Sequence, residues 1–569
     1  MAENLSRGFT TGFCEMTQAK PSGAELIKAA SQGLRGPLNA ELSAEAAKGG
    51  LSEASYTLLK FHGTYEQFDR DTATARKQAG EDKEWSFMVR VRAPAGRLTG
   101  AQWRALDDLA GDLADGTLRI TSRQGVQFHG ILRENLRASV AAINATLLTT
   151  LAACGDVVRN VITSPAPRRD AIHARLEAEA RRLSDALLPK SRAHHEIFLG
   201  EEAVTAPEEE PLYGPTYLPR KFKIALIHPD DNTPDVLAND LGFIMHPEGW
   251  IVTVGGGMGM THNKPATFPR LADPVALIGP DEVLEVAEAV VRLSRDHGDR
   301  SDRKHARLKY VLAERGVEWA RARLSADLGR DLRPAPALPR LAIPDHLGWH
   351  PQGNGRWWLG LHIPSGRVAG PLRVALREVI ERFGVNPIAT PGQDLLLSDI
   401  AKEDRAPLEA ALRTHQVALP ESFTPVARQM MACVALPTCG QSLAEGERVR
   451  QPVLAQVEAE LARLGLLEER ISLRLTGCPN GCARPYQGDI GVVGRAPGLY
   501  TLFVGGDLAG TRLNFPLADK VKLEEIGATL APLLTAWAGQ RESGEGFGDF
   551  CARLGPDSCR EAVGEALAA

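Results

Sequence analysis

The chain repeats itself, and the repeat limits what it can fold into. Val91-Arg92-Ala93-Pro94-Ala95-Gly96-Arg97-Leu98-Thr99-Gly100 is echoed by Leu361-His362-Ile363-Pro364-Ser365-Gly366-Arg367-Val368-Ala369-Gly370. Thr121 and Gln124 recur as Thr390 and Gln393, and Val254-Gly255-Gly256 recurs as Val504-Gly505-Gly506. Three echoes in one order argue for a duplicated unit of about 250 to 270 residues. Between the copies lies Leu332-Arg333-Pro334-Ala335-Pro336-Ala337-Leu338-Pro339. Its prolines favour an extended connector over a helix or a central strand. At 569 residues the chain is too long for one core and suggests several domains.

Within each half, stretches such as Phe87 to Arg92 alternate as half-buried strands do. Asp281 to Arg295 and Pro452 to Leu464 space their apolar residues as helices do. The two signals mix without regular βαβ alternation, so the expected fold class is α+β. Apolar residues make up 43% of the chain, enough for large cores, and a net charge of −5 gives no reason to expect nucleic acid or an acidic membrane as partner. Eight cysteines in so long a chain are not a disulfide framework, and Met1 to Lys20 lacks the apolar run of a signal peptide. No apolar stretch is long enough to span a bilayer, so the expectation is a soluble protein of a reducing cytoplasm. The acidic run Glu208-Glu209-Glu210 reads as a solvated turn.

Four cysteines carry the chemistry. Cys433 and Cys439 form a Cys-x5-Cys pair; thirty-eight residues later Cys478 and Cys482 form a Cys-x3-Cys pair in Thr476-Gly477-Cys478-Pro479-Asn480-Gly481-Cys482. The spacing differs from ferredoxin patterns and from the tight pairs of most structural zinc sites. Thiolates from two distant loops suit an iron-sulfur cubane, and the flanking glycines and proline let backbone approach a bulky group. A zinc knuckle and four unrelated buried thiols are the alternatives that spacing leaves open.

Both cysteine segments resemble the cluster signature of the sulfite and nitrite reductases that couple a [4Fe-4S] cluster to siroheme. Lys60-Phe61-His62-Gly63, Arg119-Ile120-Thr121-Ser122-Arg123-Gln124, Thr216 to Lys223 and Gly544 to Phe550 resemble the assimilatory bacterial branch of the same family. The likeness runs from about Ala24 nearly to the C-terminus. It implies a three-domain fold built from the internally duplicated unit. The expected division is an N-terminal extension (1–80), a ferredoxin-like half-domain (81–150), a siroheme and substrate domain (151–331), the linker (332–346), a second ferredoxin-like half-domain (347–421) and a cluster and siroheme domain (422–569).

The resemblance also implies roles. Arg90, Arg159, Lys221 and Lys223 match the basic positions that line the substrate side of siroheme. A lone arginine on a strand is more often a surface group, and Arg220-Lys221-Phe222-Lys223 also reads as an edge strand guarded by lysines. Arg119, Arg123, Arg307 and Asn480 match siroheme-binding segments, where eight carboxylates need cationic and backbone partners. Arg307 stands where the nearest relatives carry lysine. Gly392-Gln393-Asp394 departs from an Asn-Gln-Asn run, which leaves Gln393 open, and His129 is a candidate near the distal pocket. Cys482 would bridge cluster and siroheme, with Cys433, Cys439 and Cys478 on the other cluster irons. The implied reaction is the six-electron reduction of sulfite to sulfide, for cysteine biosynthesis.

Gly255-Gly256-Gly257-Met258-Gly259 lacks the following helix and acidic partner of a dinucleotide site and reads as a turn near cofactor. Electrons would then come from an NADPH-dependent flavoprotein (alpha) subunit carrying FAD and FMN. A ferredoxin-dependent sulfite or nitrite reductase of the same fold and a zinc-stabilised scaffold are the competing readings. Lys223 favours sulfite, since the nitrite branch tends to have asparagine there.

Overall fold

The computed structural model describes residues 20–43, 49–202 and 209–568. Most of the N-terminal tail and Glu208 lie outside them. Helices and four sheets make an α+β architecture, and the sheets come in two matching pairs.

The first pair is antiparallel. One sheet runs Thr64–Phe68, Trp85–Val91, Val126–Ile131, Leu118–Ile120, Arg367–Val368; the other runs Gly348–Pro351, Trp357–Leu361, Leu395–Ile400, Asn386–Ala389. Thr64–Phe68 thus joins its sheet from upstream of residue 81. Arg367 and Val368 of the second half pair with Arg119 and Leu118 of the first, so one strand ties the halves together.

The duplicated Pro-x-Gly turns explain the tie. Ala95 (φ 57°, ψ 13°) and Ser365 (φ 57°, ψ 12°) adopt the same left-handed conformation. The glycines that follow face the opposite half: a Cβ on Gly96 would lie 2.1 Å from Ala389 O, and one on Gly366 would lie 2.2 Å from Ile120 O. Only glycine permits this reciprocal approach of backbones.

The second pair shares another topology, in which parallel pairing gives way to antiparallel hairpins. Ile224–Ile227 lies parallel to Leu241–His246, followed by Gly249–Val254, Asp273–Ile278 and Arg333–Pro334. Leu473–Thr476 lies parallel to both Met431–Ala432 and Ile490–Ala496, followed by Leu499–Val504 and Phe515–Lys522. The match reaches single residues. Asp240 accepts a hydrogen bond from Lys223 N at 2.9 Å, and Asp489 accepts one from Ser472 N at 2.8 Å.

The connector begins as the edge strand Arg333–Pro334, where proline's missing N–H is tolerated. The helix Val283–His297 buries Val283, Val286, Ala287, Val290 and Val291 at helical spacing. One large apolar core serves the first half and the second antiparallel sheet, while residues from Val426 to Val563 form a separate core. Among the described residues no helix is long and apolar enough to cross a membrane.

The acidic run departs from expectation. Glu209 is exposed, but the Glu210 carboxylate accepts from Lys190 N at 2.7 Å, and burial raises it to about 7. Glu210 therefore closes a loop against Lys190 instead of facing solvent.

Candidate functional site

Two loops of the second half bring the cysteines together, and Gly477 stitches them. The strand Met431–Ala432 continues into Cys433, whose N–H donates to Leu475 O at 3.1 Å. Gly477 N donates to Cys433 Sγ at 3.2 Å, and Gly477 O accepts from Leu443 N and Ala444 N at 2.8 and 2.9 Å. A Cβ on Gly477 would lie 2.2 Å from Ser442 Oγ, so the junction excludes any side chain there. Arg70 of the first half braces the outer loop, its Nη1 reaching Cys439 O at 3.2 Å and Ser442 O at 2.6 Å.

Burial, then the charge of neighbouring cysteines, pushes the Cys433 and Cys439 thiols up and Cys478 up to about 12. Thiols so placed become thiolates only against a strong positive charge. Among the described residues no three Cys, His, Asp or Glu side chains gather closely enough to hold a single metal ion.

Cys482 is the meeting point of two environments. It is exposed although Gly481 and Ala483 beside it are buried, so its thiol opens to accessible space. Its charge acts on Cys433, Cys439 and Cys478 on one side and on Arg90, Arg119 and Lys221 on the other. Gly481 (φ 64°) makes the turn that presents it, and Ser122 Oγ donates to Cys482 O at 3.1 Å. Asn480 hydrogen-bonds Cys478, which places it at the cluster end of this turn.

The basic residues gather on the other side. Arg90 holds Gln127 Oε1 through Nη2 at 2.9 Å and Cys154 Sγ through Nη1 at 3.1 Å. Burial works against its charge, but Cys154, Tyr65 and Cys482 outweigh it and raise Arg90. Arg159 spends its Nε on Gly155 O at 2.8 Å. Lys221 and Lys223 lie deep in the molecule yet keep accessible surface, and neither forms an ion pair among the described residues. Burial, then Arg220 and Arg307, lowers Lys221 to about 7; burial, then Lys221 and Arg123, holds Lys223 well below the usual lysine range.

Arg123 bonds Asn239 Oδ1 at 2.9 Å and Asn160 O at 2.6 Å, leaving its buried Nε without a partner; burial lowers it to about 9. Arg119 pairs with Glu447 at 2.6 Å, and Arg307 grips Asp240 with Nη2 at 2.6 Å and Nε at 3.2 Å. A Cβ on Gly257 would meet the Arg307 guanidinium at 2.5 Å, so the glycine run seats that arginine. No helix follows the run, which is extended at its centre, where Gly257 bridges antiparallel to Arg270.

Arg119 and Arg307 have internal counterions, but Arg90, Arg123, Arg159, Lys221 and Lys223 form no ion pair among the described residues, and that surplus of positive charge around space that Cys482 enters fits a large polyanion such as siroheme. Two expectations shift. His129 stands behind the site, bonding Gln127 and Gln67 at 2.8 and 3.1 Å, with Gln127 in turn holding Arg90. Gln393 uses its amide on Ala432 N and O, at 3.1 and 3.0 Å, and so holds the strand that leads to Cys433. Asp240, Glu447 and Lys309 were not assigned roles from sequence. Lys309 carries its Nζ to Gly257 O at 3.1 Å and Gly259 O at 2.6 Å and also bonds Phe268 O. It lies two residues beyond Arg307, which was the available signal.

Known proteins resemble the chain over most of its length. The nitrite and sulphite reductase 4Fe-4S domain family matches residues 178–332, and the nitrite/sulfite reductase ferredoxin-like half domain family matches 79–146 and 350–415. The 4Fe-4S match thus falls on the copy without the four cysteines, as duplication allows. The chain is 46% identical to the sulfite reductase [NADPH] hemoprotein beta-component of Myxococcus xanthus, covering 95% of this chain and 97% of that one. It is 46% identical to the protein of the same name from Acidithiobacillus ferrooxidans, over 94% and 97%. The solved structure of the Mycobacterium tuberculosis NirA protein superposes with a TM-score of 0.77 at 26% identity, covering 95% of this chain and 98% of NirA.

Proposed function

The chain belongs to the nitrite and sulfite reductase family, and from that premise we propose that it is the hemoprotein component of an assimilatory sulfite reductase. It reduces sulfite to sulfide for cysteine biosynthesis and uses siroheme and a [4Fe-4S] cluster. The placement of Cys482 between three other cysteines and a group of buried cations carries the reading.

Cys433, Cys439, Cys478 and Cys482 would hold the cluster, and Cys482 would also ligate siroheme. Arg119, Arg123, Arg307 and Asn480 would meet the siroheme periphery. When bound, the two groups supply the path for six electrons. The chain supplies the rest. Arg90, Arg159, Lys221 and Lys223 face the anionic substrate; Arg90 is a fixed charge, whereas Lys221, with a proton affinity near neutrality, can hand a proton to a departing oxygen. The unpaired Lys221 and Lys223 have charge to spend on sulfite, which Arg307, already paired with Asp240, does not.

The electron donor is a separate flavoprotein that carries FAD and FMN and oxidises NADPH. The glycine run that comes nearest a nucleotide motif is occupied in seating Arg307. The purified chain should therefore reduce sulfite with reduced methyl viologen, fail with NADPH, and regain the NADPH reaction when the flavoprotein is added. NADPH oxidation by the chain alone at the viologen rate would refute the two-component reading. Turnover supported only by reduced ferredoxin would place the enzyme in the ferredoxin-dependent branch.

A further inference from the structure

A cleft of about 440 Å³ lies away from the site described above, and none of the candidate site residues lines it. It runs between the turn after Arg92, the helix Ala171–Ala186 and the strands Asn386–Ala389 and Leu395–Ile400, so both halves of the duplication form its walls. Its size falls in the range of about 300 to 1,000 Å³ usual for small-molecule sites.

Its charge is unbalanced. Five guanidiniums, those of Arg92, Arg97, Arg168, Arg169 and Arg181, face three carboxylates, those of Glu177, Asp185 and Asp399. Glu177 is shared by Arg97 at 3.0 Å and Arg181 at 3.1 Å, and Asp399 takes Arg169 at 2.8 Å. Arg92 and Arg168 form no ion pair among the described residues. Arg92 is only 2% exposed and is held by Ser184 O at 2.8 Å and Ser184 Oγ at 2.5 Å. Asp185 acts on it from beyond ion-pair distance, and burial lowers it only to about 10, so it remains charged at neutral pH. Arg97 is already engaged, its Nε on Glu177 and its Nη2 on Ala166 O at 3.2 Å.

Apolar surface lies beside these cations. Leu147, at the cleft, is 94% exposed and sits at φ 64°, a left-handed conformation that a leucine rarely adopts. Leu98, Leu148 and Ile388 extend the apolar wall.

We propose that this cleft binds a small organic phosphate monoester, its phosphate on Arg92 and Arg168 and its organic part against Leu147 and Ile388. A phosphate monoester carries about 1.5 to 2 negative charges at neutral pH, which matches the two unpaired guanidiniums. Guanidinium forks suit its oxygens.

Phenyl phosphate is the probe, with inorganic phosphate and phenol as its two parts, titrated calorimetrically into the purified holoprotein. Phenyl phosphate should saturate one site in this cleft, phenol should not bind, and inorganic phosphate should bind more weakly. The exposed Arg168→Ala should weaken phenyl phosphate roughly tenfold, the loss of one charge-assisted contact, and leave viologen-driven sulfite turnover unchanged. Arg92→Lys, which keeps the charge but removes the fork, should also weaken it. Absence of saturable phenyl phosphate binding, or an affinity unchanged in both variants, would overturn the proposal.

Discussion

Asp240→Asn should destabilise the chain by about 3 to 5 kcal/mol, the cost of leaving one partner of a buried ion pair uncompensated. The pair qualifies as buried: the Asp240 side chain is 1% exposed and that of Arg307 is 8% exposed. Asp240 accepts three hydrogen bonds, two from Arg307 and one from Lys223 N, so asparagine would lose the charge and turn a donor toward donors. With a denaturant slope of about 3 kcal/mol per molar urea, the unfolding midpoint should fall by roughly 1 to 1.7 M. The assay is urea unfolding of the variant and the parent, followed by fluorescence, with the slope compared to check that cooperativity is preserved. Asp240→Leu combined with Arg307→Met should recover most of the loss, because apolar replacement of a buried pair is often close to neutral. A loss below about 1 kcal/mol, typical of a solvent-exposed pair, would refute the claim that this contact is a buried anchor of the site.

Lys223→Asn removes an unpaired cation from the substrate side. The loss of one charge-assisted hydrogen bond, about 1.5 to 3 kcal/mol, should cut kcat/KM for sulfite by roughly 10- to 100-fold with reduced viologen while affecting nitrite much less; equal losses on both would assign Lys223 to the fold or the cofactor. In the cofactor-free chain, burial and then Arg220 and Arg307 hold Lys221 at about 7 against 10.5 for an ordinary lysine. Between those values the unfolded chain binds more protons, so stability should rise with pH from about 7 to about 10.5, and Lys221→Met should reduce that rise. An identical pH dependence in parent and variant would show that Lys221 is not desolvated.

The repeat and the cysteines were legible because each is local in sequence. The Pro-x-Gly turns and the glycines that flank Cys478 belong to short motifs whose chemistry permits few backbones. What stayed hidden was long-range. Glu447 reaches Arg119 across 328 residues, and nothing near either residue announces the contact. Asp240 looked like any acidic residue before a strand until the fold placed Arg307 on it. Glu210 sat in an acidic run that reads as solvated, yet Lys190 N, twenty residues away, draws it inward. His129 was placed near the pocket by type alone; the structure puts Gln127 between it and Arg90.

The central claim is that one cysteine joins the two cofactors, and the composition of Cys482→Ser tests it most directly. The parent protein should be coloured, with the Soret and red-region bands of siroheme and about four irons beyond the heme iron. Cys482→Ser should lose cluster iron and proximal siroheme ligation together, seen as paired changes in iron content and visible spectrum. A variant that lost the cluster but kept siroheme and its proximal ligation would assign the bridge to another cysteine, and a colourless parent with stoichiometric zinc would contradict the account at its root.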